Sequence, residues 1–234
     1  MTGQTTDALY WMYWILFIIV SIASYVVQAN LTRKFKKYSS VATPGGMRGC
    51  DIARRMLEDN GIHDVKITCI QGQLTDHYNP ETNTVNLSTD VFNGTNITAA
   101  AVAAHECGHA VQHAKDYAPV KMRSAMVPVV SFSSKIMSWV LLAGIFLVSV
   151  FPGILLAGIV MFAMTTLFSF ITLPVEIDAS RRALAWLDNA GLATRTTAAP
   201  ARDALKAAAY TYVVAAVSSL GTLCYYILIY LRRR

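Results

Sequence analysis

The distribution of charged residues divides the chain into long apolar runs and shorter polar segments. Three long runs contain no charged residue, and they cover Ala8–Thr32, Ile136–Val175 and Ala207–Leu231. About 20 apolar residues in a helix are enough to cross a bilayer, so the second run is long enough for two crossings. This second run contains Phe151-Pro152-Gly153 near its middle, which is typical of a turn. The pattern therefore predicts four membrane-spanning helices, two of which form a hairpin.

The polar segment between the first and second spans is predicted to form a small α+β region. It begins with a basic connector along the membrane surface, Arg33–Gly46, and continues with a helix over Met47–Asn60, where apolar residues recur at helical spacing. Three short strands are predicted next, over Val65–Ile70, Leu74–Tyr78 and Thr84–Thr89. An alanine-rich helix over Ala99–His113 follows, with Thr95 or Asn96 as its N-cap.

Composition and charge support the membrane interpretation. Of the 234 residues, 54% are hydrophobic and 15% are charged, which is too apolar for an ordinary soluble protein. Eleven Lys and Arg residues lie in Arg33–Arg123 and five in Arg181–Lys206, whereas none precedes the first span. The positive-inside rule therefore places these two segments in the cytoplasm and the N-terminus outside. Basic residues beside spans also explain the net charge of +6, so no nucleic-acid partner is expected.

One feature at the C-terminus opposes this orientation. A fourth crossing leaves Arg232-Arg233-Arg234 outside, against the positive-inside rule. Either the bias of the two large basic segments prevails, which we favour, or the last segment does not fully cross.

The alanine-rich helix carries the candidate chemistry, His105-Glu106-Cys107-Gly108-His109, which is an H-E-x-x-H pattern. Residues four apart share one helix face, so His105 and His109 can bind one Zn²⁺. Glu106 can take a proton from a water on that metal. The alternative is a chance match. However, the helix is apolar on nearly every side, and burial of these groups is costly unless a metal compensates for it. We predict one Zn²⁺ per chain, with Glu106 as the catalytic base.

Catalytic zinc usually has three protein ligands, so a third is expected elsewhere in the chain. Glu176 and Asp178 are the first acidic residues after Asp116, and they follow Pro174 at the predicted membrane edge. We predict Glu176 as the third ligand. On a helix Asp178 lies about 200° around from Glu176, so it is predicted to orient a histidine or to pair with Arg181 or Arg182. The alternative is that both acids only balance these arginines.

Two further histidines and one strand have open roles. His77 can reach the site and stabilise an oxyanion, or lie on a loop surface. His113 lies one turn beyond His109, too far to share the ion, and can support a ligand, contact substrate or be exposed. Thr84–Thr89 is predicted to be an edge strand that either binds an extended peptide by strand addition or only covers the helix.

Three features together resemble a known family: a one-span N-terminal anchor, H-E-x-G-H-A-x-Q on an alanine-rich helix, and V-E-x-D-A-S-R-R-A-L after a membrane hairpin. The chain resembles the bacterial neutral zinc metallopeptidases, the YugP-like membrane proteins, over essentially its whole length. The resemblance implies a membrane-embedded gluzincin with His105, His109 and Glu176 on zinc and Glu106 as base. The chain is more distantly similar to the heat-shock and CAAX-processing membrane gluzincins. Their E-x-x-x-D motif ends in an acid where this chain has Ser180.

The predicted fold is mainly α, a multi-pass membrane protein of about four spans with a small α+β zincin-like cytosolic domain. It is expected to contain an N-terminal transmembrane anchor (1–30), the cytosolic zincin-like domain with the H-E-x-x-H helix (31–123), a transmembrane helical hairpin (124–174), cytosolic helices with the third zinc ligand (175–206) and a C-terminal transmembrane helix (207–234).

The predicted activity is hydrolysis of peptide bonds in membrane or membrane-proximal proteins, near the cytoplasmic surface of a bacterial cell membrane. The expected partners are a protein or peptide substrate and the lipid bilayer, and the oligomeric state is not predicted. The alternative is a non-catalytic membrane scaffold stabilised by zinc, which has no use for the base Glu106. A transporter is less favoured, because Lys135 is the only charged residue in the predicted spans.

Overall fold

The computed structural model describes residues 2–233 and the side chains of residues 11–232. The side chains of Arg233 and Arg234, two of the three C-terminal arginines that oppose the predicted orientation, lie outside these residues. Seven α-helices are described: α1 (Thr2–Tyr38), α2 (Gly49–Asp59), α3 (Thr89–Phe92), α4 (Ile97–Ala114), α5 (Ala118–Leu147), α6 (Pro152–Asn189) and α7 (Ala198–Arg233). The three strands are β1 (Lys66–Ile70), β2 (His77–Asn79) and β3 (Thr84–Ser88).

Four of the described helices, α1, α5, α6 and α7, are long and apolar enough to cross a membrane. The prediction of a mainly helical protein with four candidate spans and a small sheet is therefore confirmed. The break between α5 and α6 falls just before Pro152, where the sequence predicts the hairpin turn.

The chain forms two compact units. The first, here the helical unit, contains Met1–Val27, Met122–Leu173 and Thr211–Arg234. The second, here the mixed unit, contains Gln28–Lys121 and Pro174–Tyr210. The helical unit thus holds most of the uncharged runs, and the mixed unit holds the sheet and the H-E-x-x-H helix.

Two glycines let α5 and α6 pack closely within the helical unit. A Cβ atom on Gly144 would lie 2.6 Å from Leu155 Cα, and one on Gly158 would lie 2.8 Å from Leu141 Cδ2. A side chain at Gly144 would require movement of a helix, because it meets backbone, whereas one at Gly158 would require the Leu141 side chain to shift. Small residues at such crossings are typical of helix pairs in membranes, where close van der Waals packing drives association.

The core of the mixed unit lies between α2, α4 and the sheet. The face of α2 that the sequence predicts to be apolar is buried and consists of Ile52, Ala53, Met56 and Leu57. Alanines on α4 keep that helix slim, so that its neighbours approach closely; Ala100, Ala101, Ala103 and Ala104 have no exposed surface. Full burial of a side chain such as Ile52 or Met56 contributes about 1.5–3 kcal/mol to folding.

The sheet has the order β1-β3-β2, with β1 parallel and β2 antiparallel to β3. The prediction that Thr84–Thr89 is an edge strand is therefore wrong, because β3 pairs on both sides. Its burial agrees with a central position, since four of its five residues are buried. The strand predicted over Leu74–Tyr78 begins only at His77, because Leu74 has a left-handed backbone with φ of 56°.

The predicted basic connector over Arg33–Gly46 is wrong in its first part, because α1 continues as a helix to Tyr38. Within the mixed unit the Lys34 Nζ pairs with Asp203 Oδ1 on α7 at 2.5 Å. The Tyr38 hydroxyl donates to the other oxygen of the same carboxylate at 2.6 Å. These two contacts join the last turns of α1 to the start of α7.

Candidate metal centre

Helix α4 carries two of the three candidate ligands on one face. It begins after Asn96, whose Oδ1 accepts a hydrogen bond from the Ala99 backbone N–H at 2.9 Å, so Asn96 rather than Thr95 is the N-cap. The rings of His105 and His109 lie one turn apart with centroids 4.8 Å from each other. Their side chains are only 13% and 12% exposed, so both imidazoles face the interior.

A close crossing of α4 and α6 brings the third candidate ligand to these histidines. The contact is at Gly108, where a Cβ atom would lie 2.7 Å from the Ala179 carbonyl oxygen. The missing side chain at Gly108 therefore permits the crossing. Glu176 lies one turn before Ala179 on α6, and its Oε2 is 3.3 Å from His105 Nε2 and 3.5 Å from His109 Nε2.

This donor set fits a zinc ion. The candidate ligand atoms of His105, His109 and Glu176 all lie within 4.8 Å of one another. Ligand atoms about 2.0–2.1 Å from a tetrahedral zinc are roughly 3.3 Å apart, close to the 3.3 and 3.5 Å that separate the carboxylate from the two imidazoles. Two histidines and one glutamate also form a ligand set found in catalytic zinc sites, which keep one coordination position open.

Glu106 is buried beside these three residues. The backbone N–H of Tyr78 on β2 donates to Glu106 Oε2 at 3.0 Å. Burial raises the pKa of the Glu106 carboxyl to about 7; His105 and the Tyr78 N–H act against this rise, and the charges of Glu176 and Asp76 add to it.

Asp178 is connected to His109 through a residue that the sequence analysis missed, Gln112. The Gln112 Nε2 donates to Asp178 Oδ2 at 2.9 Å, and its Oε1 lies 3.0 Å from His109 Nδ1. Asp178 also accepts hydrogen bonds from Arg181 and Arg182. Asp178 therefore forms ion pairs with Arg181 and Arg182 and also contacts His109 indirectly through Gln112. The sequence had left these two roles as alternatives.

Ser180 is the second residue at the site that was missed. Its Oγ lies 3.1 Å from His105 Nδ1, so each candidate histidine ligand has a polar partner on the ring nitrogen that faces away from Glu176. Sequence signals for both residues existed. Ser180 stands at the acid position of the E-x-x-x-D motif, and Gln112 ends the H-E-x-G-H-A-x-Q motif.

His77 and His113, the two further candidate histidines, lie apart from this cluster of donors. His77 is exposed on β2, with its Nδ1 2.7 Å from the Thr75 carbonyl oxygen and its Nε2 3.2 Å from Asn86 Nδ2. His113 is exposed at the end of α4, and its ring centroid lies 6.0 Å from that of Tyr78. Among the described residues, the three donors that converge are His105, His109 and Glu176.

Comparison with known proteins supports the same chemistry. Residues 13–231 match the model of the family described as "Putative neutral zinc metallopeptidase". Over 223 residues the chain is 39% identical to "Putative membrane protease YugP" of Bacillus subtilis (strain 168), a match that covers 94% of this chain and 98% of that protein. No solved structure matches the chain. The family match spans nearly the whole chain and confirms the resemblance seen in the motifs: the chain belongs to the neutral zinc metallopeptidase family.

Proposed function

We propose that the protein is a membrane zinc metalloendopeptidase that cleaves membrane or membrane-proximal proteins near the cytoplasmic surface. The observation that carries the proposal is the convergence of His105, His109 and Glu176 from two helices beside the buried carboxyl of Glu106. Membership of a zinc metallopeptidase family supports the same reaction class.

In the proposed mechanism, His105, His109 and Glu176 hold one zinc ion. Bound zinc polarises the scissile carbonyl and makes a water molecule more acidic. Glu106 accepts a proton from the attacking water and passes it to the leaving amine. The same carboxyl must gain and lose a proton in each cycle, and Glu106 lies buried beside the three candidate ligands.

We propose the outer edge of β2 as the substrate-binding strand, in place of Thr84–Thr89. Tyr78 pairs with Val85 of β3, but its backbone N–H is bonded to Glu106 and therefore points away from β3. A peptide that adds to this edge as a further strand would take the Tyr78 N–H from Glu106 and lie beside that carboxyl. The main chain would supply affinity there, with little demand on the substrate's sequence.

The proposed location rests on the order of features along α6 and on the distribution of basic residues. The uncharged run ends at Val175, and Glu176 is the next residue of the same helix. The basic segments Arg33–Arg123 and Arg181–Lys206, which flank or contain all the site residues, are expected on the cytoplasmic side. Substrates near that surface are the class this placement favours.

The decisive experiment compares wild type with Glu106→Gln, using fluorescein-labelled casein as an unfolded substrate and elemental analysis for zinc. We expect wild type to cleave casein and the variant to lose about 10²–10⁴-fold in rate, since the general base is gone. Zinc content should be unchanged. Glu58→Gln, on an exposed residue of α2, is the matched control and should cleave like wild type. Equal cleavage by wild type and Glu106→Gln would refute the proposed mechanism.

The metal is tested separately by zinc content in wild type and Glu176→Ala. We expect close to one zinc per wild-type chain and clearly less in the variant, because the variant lacks the only proposed ligand on α6. Wild type without zinc would contradict the proposal. Full zinc in both proteins would keep the metal and reject Glu176 as its ligand.

A zinc-stabilised scaffold without catalysis is the second candidate, and one contact favours it. Glu106 ties β2 to α4 through the Tyr78 N–H, which is a structural use for this carboxyl. The amide oxygen of Gln can still accept that hydrogen bond, so a scaffold would tolerate Glu106→Gln. The scaffold predicts zinc in wild type and no casein cleavage by any variant.

A further inference from the structure

Gln112 is a fully buried polar residue on α4, one turn after His109. Its amide group has three partners. The Nε2 atom donates to the Val175 carbonyl oxygen at 2.8 Å and to Asp178 Oδ2 at 2.9 Å, while Oε1 lies 3.0 Å from His109 Nδ1. A buried amide with all of these contacts has a single stable orientation, because any rotation leaves donors or acceptors unpaired.

These partners decide which end of the amide faces the histidine. The Val175 carbonyl oxygen can only accept a hydrogen bond, so the NH₂ end of Gln112 must face it. The amide oxygen then faces His109 Nδ1, and that nitrogen must be the donor. A neutral imidazole has one N–H, so the Nε2 atom of His109 presents its lone pair toward Glu176 Oε2 and the metal position.

Asp178 anchors the other end of the amide. Its side chain is only 5% exposed, and its carboxylate is held by Arg181 and Arg182 on the same helix. The guanidinium of Arg182 in turn lies over the ring of Tyr117, 5.6 Å from its centroid. His105 differs, because its Nδ1 faces the Ser180 hydroxyl, which can donate or accept and therefore does not select one tautomer.

We propose that Gln112 is a positioning residue that sets the tautomer and ring orientation of His109 for metal binding, with Asp178 holding Gln112 in place. The carboxylate thus acts on the histidine through a neutral amide instead of binding it directly. The inference deepens the proposed function and rests on it only in that His109 is taken as a metal ligand.

The test uses Gln112→Met, which keeps the side-chain volume and removes all three contacts. Zinc affinity is measured by competition with a chromophoric chelator, and the visible spectrum of the Co²⁺-substituted protein reports the ligand geometry. We expect about 10–100-fold weaker zinc binding, as for other residues that orient a ligand, together with changed cobalt bands.

Thr197→Val is the matched control for lost stability. Thr197 is 2% exposed and its hydroxyl donates to the Leu192 carbonyl oxygen at 2.6 Å, so this variant also loses a buried hydrogen bond. Its partners include none of the candidate site residues. We expect Thr197→Val to have a lowered thermal midpoint but the zinc affinity and cobalt spectrum of wild type. If Gln112 had only a structural role, Gln112→Met would give this same result.

Asp178→Asn is the second variant, and it tests the positioning role of Gln112 if Gln112→Met does not fold. It keeps the shape of the side chain, but it loses the charge that holds the two arginines and anchors the amide. We expect zinc binding weaker than in wild type and stronger than in Gln112→Met. Wild-type zinc affinity and cobalt spectra in the folded variants would overturn the inference.

The outcomes separate this inference from the proposed function. Wild type that binds no zinc would remove both. Wild type that binds zinc without cleaving casein, together with weak binding by Gln112→Met, would reject the peptidase and support the positioning role. Casein cleavage by wild type, together with wild-type zinc affinity in Gln112→Met, would support the peptidase and reject the positioning role.

Discussion

Glu176 reaches two histidines on another helix, so the length of its side chain matters as much as its charge. Its Oε2 lies at nearly equal distances from the two Nε2 atoms, 3.3 and 3.5 Å. The carboxylate is almost completely buried, with 3% of the side chain exposed. A buried charge of this kind needs a close partner of opposite charge, which the proposed metal provides.

We therefore expect Glu176→Asp to weaken zinc binding by more than about tenfold, although the chemistry of the ligand is kept. The shorter side chain withdraws the carboxylate by roughly one C–C bond, about 1.5 Å. Chelator competition measures the effect. Glu58→Asp makes the same change on an exposed surface and should bind zinc like wild type. Unchanged affinity in Glu176→Asp would mean that this carboxylate is not a ligand.

At the scale of elements, the site depends on how closely α4 and α6 approach. Gly108 lies between the two histidines in sequence and faces the backbone of Ala179. Glycine at this position costs helix propensity, roughly 1 kcal/mol relative to alanine. The close crossing compensates for that cost, because it brings a ligand on one helix to two ligands on the other.

Gly108→Ala is expected to lower zinc affinity more than about tenfold and to destabilise the fold by about 1–3 kcal/mol through overpacking. The added methyl group would lie 2.7 Å from a backbone oxygen, which cannot move without displacing α6. Gly153→Ala is the matched control on α6, because a Cβ there meets no atom within 4 Å. Zinc titration and thermal unfolding measure both variants. Normal zinc affinity in Gly108→Ala would show that the crossing does not control the site.

At the scale of the whole molecule, the distribution of basic residues predicts which side of the membrane the mixed unit faces. The basic segments predict the cytoplasmic side. The chain contains a natural reporter, since Cys69 on β1 is exposed whereas Cys50 and Cys107 are buried. Cys224 is also exposed but lies in the last uncharged run, so it is best replaced by serine.

We expect a membrane-impermeant maleimide to modify Cys69 in inverted membrane vesicles and not in right-side-out vesicles. A cysteine placed in the hairpin turn by Gly153→Cys, in a background without Cys69, should show the opposite pattern. The turn has open space for a side chain, so this variant should fold. The reverse labelling of the two cysteines would place the mixed unit outside and contradict the predicted orientation.

Local patterns were enough to predict much of this protein. Uncharged runs determine which segments can cross a membrane, because burial of charge in lipid is costly. Helical spacing placed His105 and His109 on one face, and the isolated acid after the hairpin indicated Glu176. Each of these signals depends on composition or on a fixed period within one element, which a sequence displays directly.

Other features were decided only by the tertiary structure. The central position of β3 depends on which strands pair, and an alternating pattern does not specify neighbours. The contacts of Gln112 and Ser180 with the histidines arise from the crossing of α4 and α6, and neutral hydrogen-bonding residues leave no periodic signature. The sequence by itself thus determined the candidate spans, the H-E-x-x-H helix and the candidate donors. The fold decided how those donors are oriented, because orientation depends on contacts between segments far apart in the chain.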